Sequence, residues 1–339
     1  MHRFIYLKYA LALVLMYIGG KIFLHDLIKV PALLSLGVTL GLLAGMMIIV
    51  NVTKRSGLFQ YVAVWAAKKV KAHPVGIMLM MSLVTAVFSA LLDNVTTVLL
   101  MVPVILLITE ELKLSPYPYL LAAVFMSNIG GTATLIGDPP NIMIGSAVGL
   151  GFNDFLLHLT PIILVIMLVT IPLMALIWRK QMVATPEDRA RVMAFNEREA
   201  ITDVRLLRQS LFVLFLVMTA FILHGMLHLE PATVAMLGAA LLLLLDNFKL
   251  DAEAQSHKVH HAFAEIEWVT LFFFVGLFIA VRGLEQVGAI DQLAQWMLQI
   301  TKGDMTITAF TILWGSAIAS AFVDNIPFVA TMIPLVKSM

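Results

Sequence analysis

The chain has 339 residues, of which 61% are hydrophobic and 13% charged, with a mean hydropathy of +0.97 and a net charge of +1. Soluble globular domains are nearer half apolar and a quarter charged, so this composition excludes one. There is no cysteine, which removes disulfides, thiol catalysis and cysteine-based metal sites. The apolar runs are continuous rather than alternating, which points to membrane helices and away from a barrel. At about 20 residues per span, the length holds about ten spans and half-spans.

In chain order, residues 1–20 carry Arg3 and Lys8 and then an apolar run to Ile18. No small-x-small cleavage site follows, so a short first span is expected rather than a cleaved signal peptide. Pro31 to Val50 is a full span. Lys54, Arg55, Lys68, Lys69 and Lys71 follow, a basic loop expected in the cytoplasm. Within that loop, Gly57–Val70 sets Leu58, Tyr61, Val62 and Trp65 on one face and reads as an amphipathic interfacial helix.

His73-Pro74 opens an apolar run to Leu92. Asp93-Asn94 interrupts it, and a second arm runs from Val95 to Thr109. A polar tip between two apolar arms suits a re-entrant hairpin over about residues 75–109. Pro118 to Leu150 is too long for one span and reads as a helix broken at Gly130–Asn141. Thr160–Trp178 is the next span. Residues 179–208 carry seven Lys/Arg and five acids and form a cytoplasmic linker. Leu211–Leu227 and Pro231–Leu245 are spans. A solvated loop to Glu265 then holds His257, His260 and His261, without a convergent carboxylate to make a metal site. Trp268–Val281 is a span, Gly288–Ile300 a second amphipathic segment, and Thr306–Ala321 leads into Asp324-Asn325-Ile326-Pro327.

Two polar stretches stand out from this apolar background. One is Ser89 to Val98, with Asp93, Asn94, Thr96 and Thr97. The other is Ser127 to Asn141, with Asn128, Gly130, Gly131, Thr132, Thr134, Gly137, Asp138, Pro139, Pro140 and Asn141. An ionisable group at membrane depth costs about 2.5–3.5 kcal/mol on insertion scales, so such groups serve a purpose. Glycine tolerates backbone that other residues would strain, and the proline pair stops a helical ladder. Together they predict a polar binding site between broken helices near the mid-plane.

The first half recurs in the second at a fixed offset of 231. Gly45 matches Gly276, Gly57 Gly288, Trp65 Trp296, Ser89 Ser320, Asp93 Asp324, Asn94 Asn325 and Pro103 Pro334, without a gap. Matches of Leu or Val would mean little in so apolar a chain, whereas paired Trp, Asp-Asn and Pro mark a repeat. Counting spans from the basic loop makes the second unit opposite in direction to the first. The expected fold is therefore an all-α integral membrane protein of inverted repeats, re-entrant hairpins and discontinuous helices. The division is 1–178 for the first repeat, 179–208 for the linker and 209–339 for a second repeat incomplete at its C-terminal end. The same offset carries the first broken helix to about 359–372, past Met339, so a fragment that does not transport alone is also expected.

Leu92-Asp93-Asn94-Val-Thr96-Thr97 and Asn128-Ile-Gly-Gly-Thr-Ala-Thr-Leu-Ile-Gly-Asp-Pro-Pro-Asn141 resemble the superfamily of arsenite permeases and NhaD-type sodium/proton antiporters. That superfamily also holds the melanosomal P protein and citrate and dicarboxylate transporters. Gly45–Val50, Ser56–Phe59, Glu267-Trp268 and Gly276–Ile279 match as well, and the likeness runs from about residue 37 to the end. It implies a scaffold domain and a mobile transport domain containing the hairpins and broken helices.

Asp93 is the first candidate, a carboxylate that binds either H⁺ or Na⁺, with Asp324 its counterpart. The plainer reading of Asp93 is a solvated turn. Asn94, Thr96 and Thr97 offer oxygens to a hard cation and, through NH or OH, donors to an anion, or simply cap a helix at the hairpin tip. Asn325 is paired with Asn94 by the repeat, and Pro139, Pro140 and Pro327 are structural. The expected function is secondary active, cation (Na⁺)/proton-coupled antiport by alternating access. Alternatives are a carrier of arsenite, citrate or another dicarboxylate, and a non-transporting membrane assembly partner. No catalytic motif occurs, no enzyme activity is expected, and no cofactor beyond coupling Na⁺ or H⁺ is called for. Expected partners are the bilayer, a small ion or carboxylate and a second copy in a homodimer, with no nucleic acid. The expected location is a prokaryotic cytoplasmic membrane.

Overall fold

A computed structural model describes residues 31–339 apart from 228 and 249. The expected span over 1–20 lies outside the described residues. Among these, all regular structure is helical, and six helices are long and apolar enough to cross a membrane. The protein is an all-α, multi-pass integral membrane protein.

Helix α1 (Pro31–Lys54) is followed by α2 (Leu58–Lys69), α3 (Pro74–Leu91) and α4 (Asn94–Glu111). Only Leu92 and Asp93 separate α3 from α4, and the two helices pack on each other with the Asp-Asn pair at the tip between them. Next come α5 (Tyr117–Gly131), α6 (Pro139–Val148), α7 (Phe152–His158) and α8 (Thr160–Trp178). The break between α5 and α6 runs over 132–138, shorter than the predicted Gly130–Asn141. Helix α6 restarts at Pro139 because proline's fixed φ and missing N–H suit the first helical position.

The linker is not extended. It holds α9 (Pro186–Met193), whose N-cap Thr185 accepts from the Asp188 N–H, and a 3₁₀ turn at Glu197–Ala200. Helix α10 (Val204–Leu227) begins before the predicted Leu211. After α11 (Pro231–Asn247) the expected solvated loop is instead α12 (Ala252–Ala264), capped by Asp251, and its three histidines lie on that helix. Then come α13 (Trp268–Gln286), α14 (Ala289–Ile300), α15 (Met305–Ala319) and α16 (Asn325–Ser338).

The hydrophobic core does not follow chain order. One cluster joins α1 and α6 to α10, α11, α13 and α16. Another joins α2–α5 with the end of α8 and the linker residues Met182 and Val192. Close backbone crossings within them depend on small residues, as is usual between membrane helices. A Cβ on Gly45 would sit 2.8 Å from the Ala235 backbone where α1 crosses α11. On α2 the face packed inward is Phe59, Ala63, Ala66 and Ala67. Trp65, from the predicted apolar stripe, is 42% exposed.

Equivalent positions of the two halves share backbone geometry. Gly57 and Gly288 begin α2 and α14 at φ 80° and 72°, and Lys71 and Lys302 have φ of 53° and 54°. Asp93 and Asp324 are the N-caps of α4 and α16, and Pro103 and Pro334 lie inside those helices. Their surroundings differ: Ala86 and Ser89 are buried, whereas Ala317 is exposed and Ser320 partly so.

Candidate functional site

The site is built where the hairpin tip meets the break between α5 and α6. Asn94, the first residue of α4, is its hub. The Asn94 side-chain NH₂ donates to Asn128 Oδ1 at 3.1 Å and to Asp138 Oδ1 at 3.3 Å. One amide therefore links the tip, the end of α5 and the start of α6. Asn94 and Asp138 are buried, while Asn128 opens to the surface.

Asp93 and Asp138 stand in the same formal position, each an N-cap, but they are used differently. Asp93 Oδ1 accepts the Thr96 N–H at 2.7 Å and closes the first turn of α4. It is only half-buried. The capping alternative, raised above for its neighbours, therefore applies to Asp93 itself, and Asp93 is not the buried carboxylate expected. That group is Asp138, at 7% exposure. Its side chain makes no capping bond because Pro139 and Pro140 have no N–H to offer, and the Asn141 N–H is taken by the Asp138 backbone oxygen. The proline pair thus leaves at a helix N-terminus a carboxylate that caps no backbone N–H and, among the described residues, accepts only from the Asn94 side chain.

The other candidates divide into ligand-like and structural groups. Thr97 is fully buried, and its hydroxyl oxygen has no hydrogen-bond partner among the described residues. Thr96 is buried with its N–H held by Asp93. Thr132 donates to the Asn128 carbonyl in its own helix. Thr134 donates to the Ala90 carbonyl at 2.5 Å and ties the break to α3. Asn141 holds the break closed, its NH₂ donating to the carbonyls of Gly131, Thr132 and Thr134 at 3.4, 3.2 and 2.8 Å. These carbonyls are freed by the break and would otherwise lack partners.

The three glycines serve close approach rather than unusual φ, since none lies in the left-handed region. A Cβ on Gly130 would be 2.3 Å from the Ala86 carbonyl oxygen. One on Gly131 would be 2.5 Å from the Gly137 oxygen, and one on Gly137 2.4 Å from the Gly131 oxygen. Two residues outside the candidate set support the same break. Ser89 donates to the Ser127 carbonyl at 2.5 Å, and Thr160 to the Ala133 carbonyl at 2.8 Å. Ser89 was visible in sequence through its repeat partner Ser320. Thr160 carried no signal.

The second half reaches this region through α16, which packs across α6. Asp324 is exposed and caps α16 by accepting the Ile326 N–H at 3.0 Å. Asn325 and Pro327 are half-buried in the first turn of α16. No hydrogen bond joins Asp324 or Asn325 to Asn94, Asn128 or Asp138 among the described residues, so the two tips do not form one direct cluster. At the far end of α6, Lys337 Nζ donates to the Ala147 carbonyl at 2.5 Å, a cation placed at a helix C-terminus.

Chemically, the site offers carboxylate, amide and hydroxyl oxygens. Residues 89–97, 127–141 and 320–325 contain no Lys, Arg or His. Such a donor set suits a hard cation or a proton.

The citrate transporter family profile (CitMHS) matches residues 5–339. The uncharacterized transporter Rv2685 of Mycobacterium tuberculosis is 48% identical over 299 residues, covering 88% of this chain and 67% of that protein. The 46 kDa membrane protein of Mycobacterium leprae is 46% identical over 298 residues, with the same coverage. The human P protein is 32% identical over 377 aligned positions, covering 89% of this chain but 44% of its own length. By the extent of these matches, the chain is a membrane transporter belonging to the citrate transporter family.

Proposed function

We propose that the protein is a secondary active transporter whose coupling ion, H⁺ or Na⁺, binds beside Asp138. The observation that carries this reading is the buried Asp138 carboxylate, which caps no backbone N–H and accepts from Asn94, itself bonded to Asn128, in a site without a basic residue. Asn94 and Asn128 set its position. Asp93, Thr97 and the freed backbone supply further oxygens. Asp324 and Asn325 play the matching part in the second half. In this proposal 1–178 and 209–339 are inverted units joined by a cytoplasmic linker, and the site is exposed to alternate sides of the membrane.

A second reading is supported by the family description. A small carboxylate such as citrate would be the cargo, and the cation at Asp138 would offset its charge.

The test is flux in proteoliposomes, with radiolabelled sodium, a pH gradient and labelled citrate supplied in parallel. Sodium- and citrate-dependent thermal stabilisation is read on the same protein. Asp138→Asn is expected to abolish ion-dependent flux and stabilisation while the protein still folds. Asp93→Asn keeps the helix cap, since Asn caps as well as Asp, and is expected to retain part of the activity. Normal ion-dependent exchange in Asp138→Asn would overturn the proposal.

A further inference from the structure

The corners before α2 and α14 are one backbone turn built twice, and among the described residues only the first is buttressed. Gly57 and Gly288 have nearly identical dihedrals, φ 80° and ψ 11° against φ 72° and ψ 12°. Around Gly57 the linker lies against the turn. The Thr202 N–H donates to the Ser56 carbonyl at 3.1 Å, and the Thr202 hydroxyl donates to the Arg55 carbonyl. These carbonyls follow the end of α1, where helical partners run out, and the linker satisfies both. A Cβ on Gly57 would lie 1.7 Å from the Ala200 carbonyl oxygen. Around Gly288 no described atom lies within 4 Å of such a Cβ. Val287 there is 73% exposed, where its counterpart Ser56 is 0% exposed.

The linker also grips the base of the hairpin. Lys68 Nζ, in the last turn of α2, donates to the Phe195 carbonyl at 2.9 Å and pairs with Glu197 at 2.5 Å. Arg189 donates to the Lys71 carbonyl at 2.9 Å in the turn before α3. Arg191 donates to the Glu111 carbonyl at 2.7 Å at the end of α4. Helix α2 packs on both hairpin arms, so its angle to α1 governs where the tip sits. Arg55 is held from the other side by Asp246 at 2.8 Å, and Asp246 is itself paired with Lys258 at 2.9 Å. The corner is thereby tied to α11 and α12 as well.

We infer that residues 195–202 are a brace that fixes α2 against α1, and that Gly57 and Thr202 are positioning residues for the site at the α3–α4 tip. The brace spans from the end of α1, which belongs to one core cluster, to α2 and Phe195 in the other. Its consequence for turnover rests on the transporter reading, but its effect on the tip does not.

Gly57→Ala and Gly288→Ala form a matched pair. Each places a Cβ at positive φ and carries a similar backbone cost, but only the first collides with the linker. Hydrogen–deuterium exchange on the full chain in detergent or nanodiscs reads the brace at residues 195–202 and the tip at residues 93–98. In Gly57→Ala both segments are expected to exchange about tenfold faster or more, and in Gly288→Ala both stay near wild type. Thr202→Pro removes both linker donors with Gly57 intact, and covers the case in which Gly57→Ala does not fold. It is expected to speed exchange at residues 195–201 and at the tip. Flux in the same variants is expected to show lowered turnover at unchanged half-saturation. Unchanged exchange at 195–201 in both Gly57→Ala and Thr202→Pro would overturn the brace. A released linker with an unchanged tip would overturn the positioning role. Altered half-saturation at unchanged turnover would also overturn it. A wild-type protein that neither carries flux nor gains thermal stability from sodium or citrate would count against the transport proposal and leave the exchange result standing.

Discussion

Gly130→Ala tests how the site is held together. Gly130 lies in the last turn of α5, where that helix crosses α3. An added Cβ would stand 2.3 Å from the Ala86 oxygen, 2.5 Å from its Cα and 2.7 Å from its carbonyl carbon. All three are backbone atoms, so no side chain can rotate away. Restoring ordinary contact near 3.4 Å requires the helices to part by about 1 Å. Asn128 is two residues away, and its 3.1 Å bond to Asn94 would stretch to about 4 Å along that direction, past any hydrogen bond. Alanine gains up to about 1 kcal/mol in helix propensity over glycine, and overpacking costs about 1–3 kcal/mol. The lost bond costs about 1 kcal/mol more. The expected net destabilisation is about 1–3 kcal/mol, measured as a lowered thermal midpoint in detergent together with loss of sodium- or citrate-dependent stabilisation. Gly315→Ala, on α15 with nothing described within 4 Å of its Cβ, is the control and should be neutral or slightly stabilising. A Gly130→Ala protein as stable as Gly315→Ala, with ligand response intact, would refute the close-approach reasoning.

Asn141→Asp should loosen the break. It replaces the NH₂ that serves three carbonyls with a group that cannot donate when ionised, at a cost of about 1–3 kcal/mol and with faster exchange over residues 132–138. The linker has its own pH limit. The Thr185 hydroxyl first, then Arg191 and Lys113, hold the Asp188 carboxyl down at about 2, and Lys68 holds the Glu197 carboxyl below its usual range. Because the folded value for Asp188 lies below the unfolded one near 4, its contribution is complete above about pH 5 and is lost as pH falls from about 4 toward 2. Pepsin should cut within 185–200 far faster at pH 2.5 than at pH 4 once its own pH dependence is divided out, and Asp188→Asn should cut quickly at both.

Much of this protein is written in local sequence. The spans, the hairpin and the broken helix follow from continuous apolar runs interrupted by Asp93-Asn94 and by Gly130–Asn141, since hydrocarbon tolerates no unpaired backbone outside such breaks. The repeat was legible because Trp, Asp-Asn, Gly and Pro recur at one offset. Its clearest structural counterpart is the shared φ of Gly57 and Gly288. The helical content of the linker and of residues 252–264 was hidden by their polarity. Its cause lies in local caps, Thr185 and Asp251, which compete weakly with the composition signal.

Which carboxylate is the buried one could not be read from sequence, because Asp93 and Asp138 are both acids beside a helix start. Only the fold shows that Asp93 spends its oxygen on the Thr96 N–H, while Pro139 and Pro140 leave Asp138 nothing to cap. The partners of Asn94 lie 34 and 44 residues away, and no local pattern encodes that distance. The same holds for the linker, whose charges read as a membrane-orientation signal. They become a brace only when Thr202, 147 residues along the chain from Arg55, meets its carbonyl. Periodicity and turn chemistry act within a few residues and so determine the elements. Hydrogen bonds and close backbone contacts between distant segments depend on packing, and they alone decide which of the candidate residues form a site.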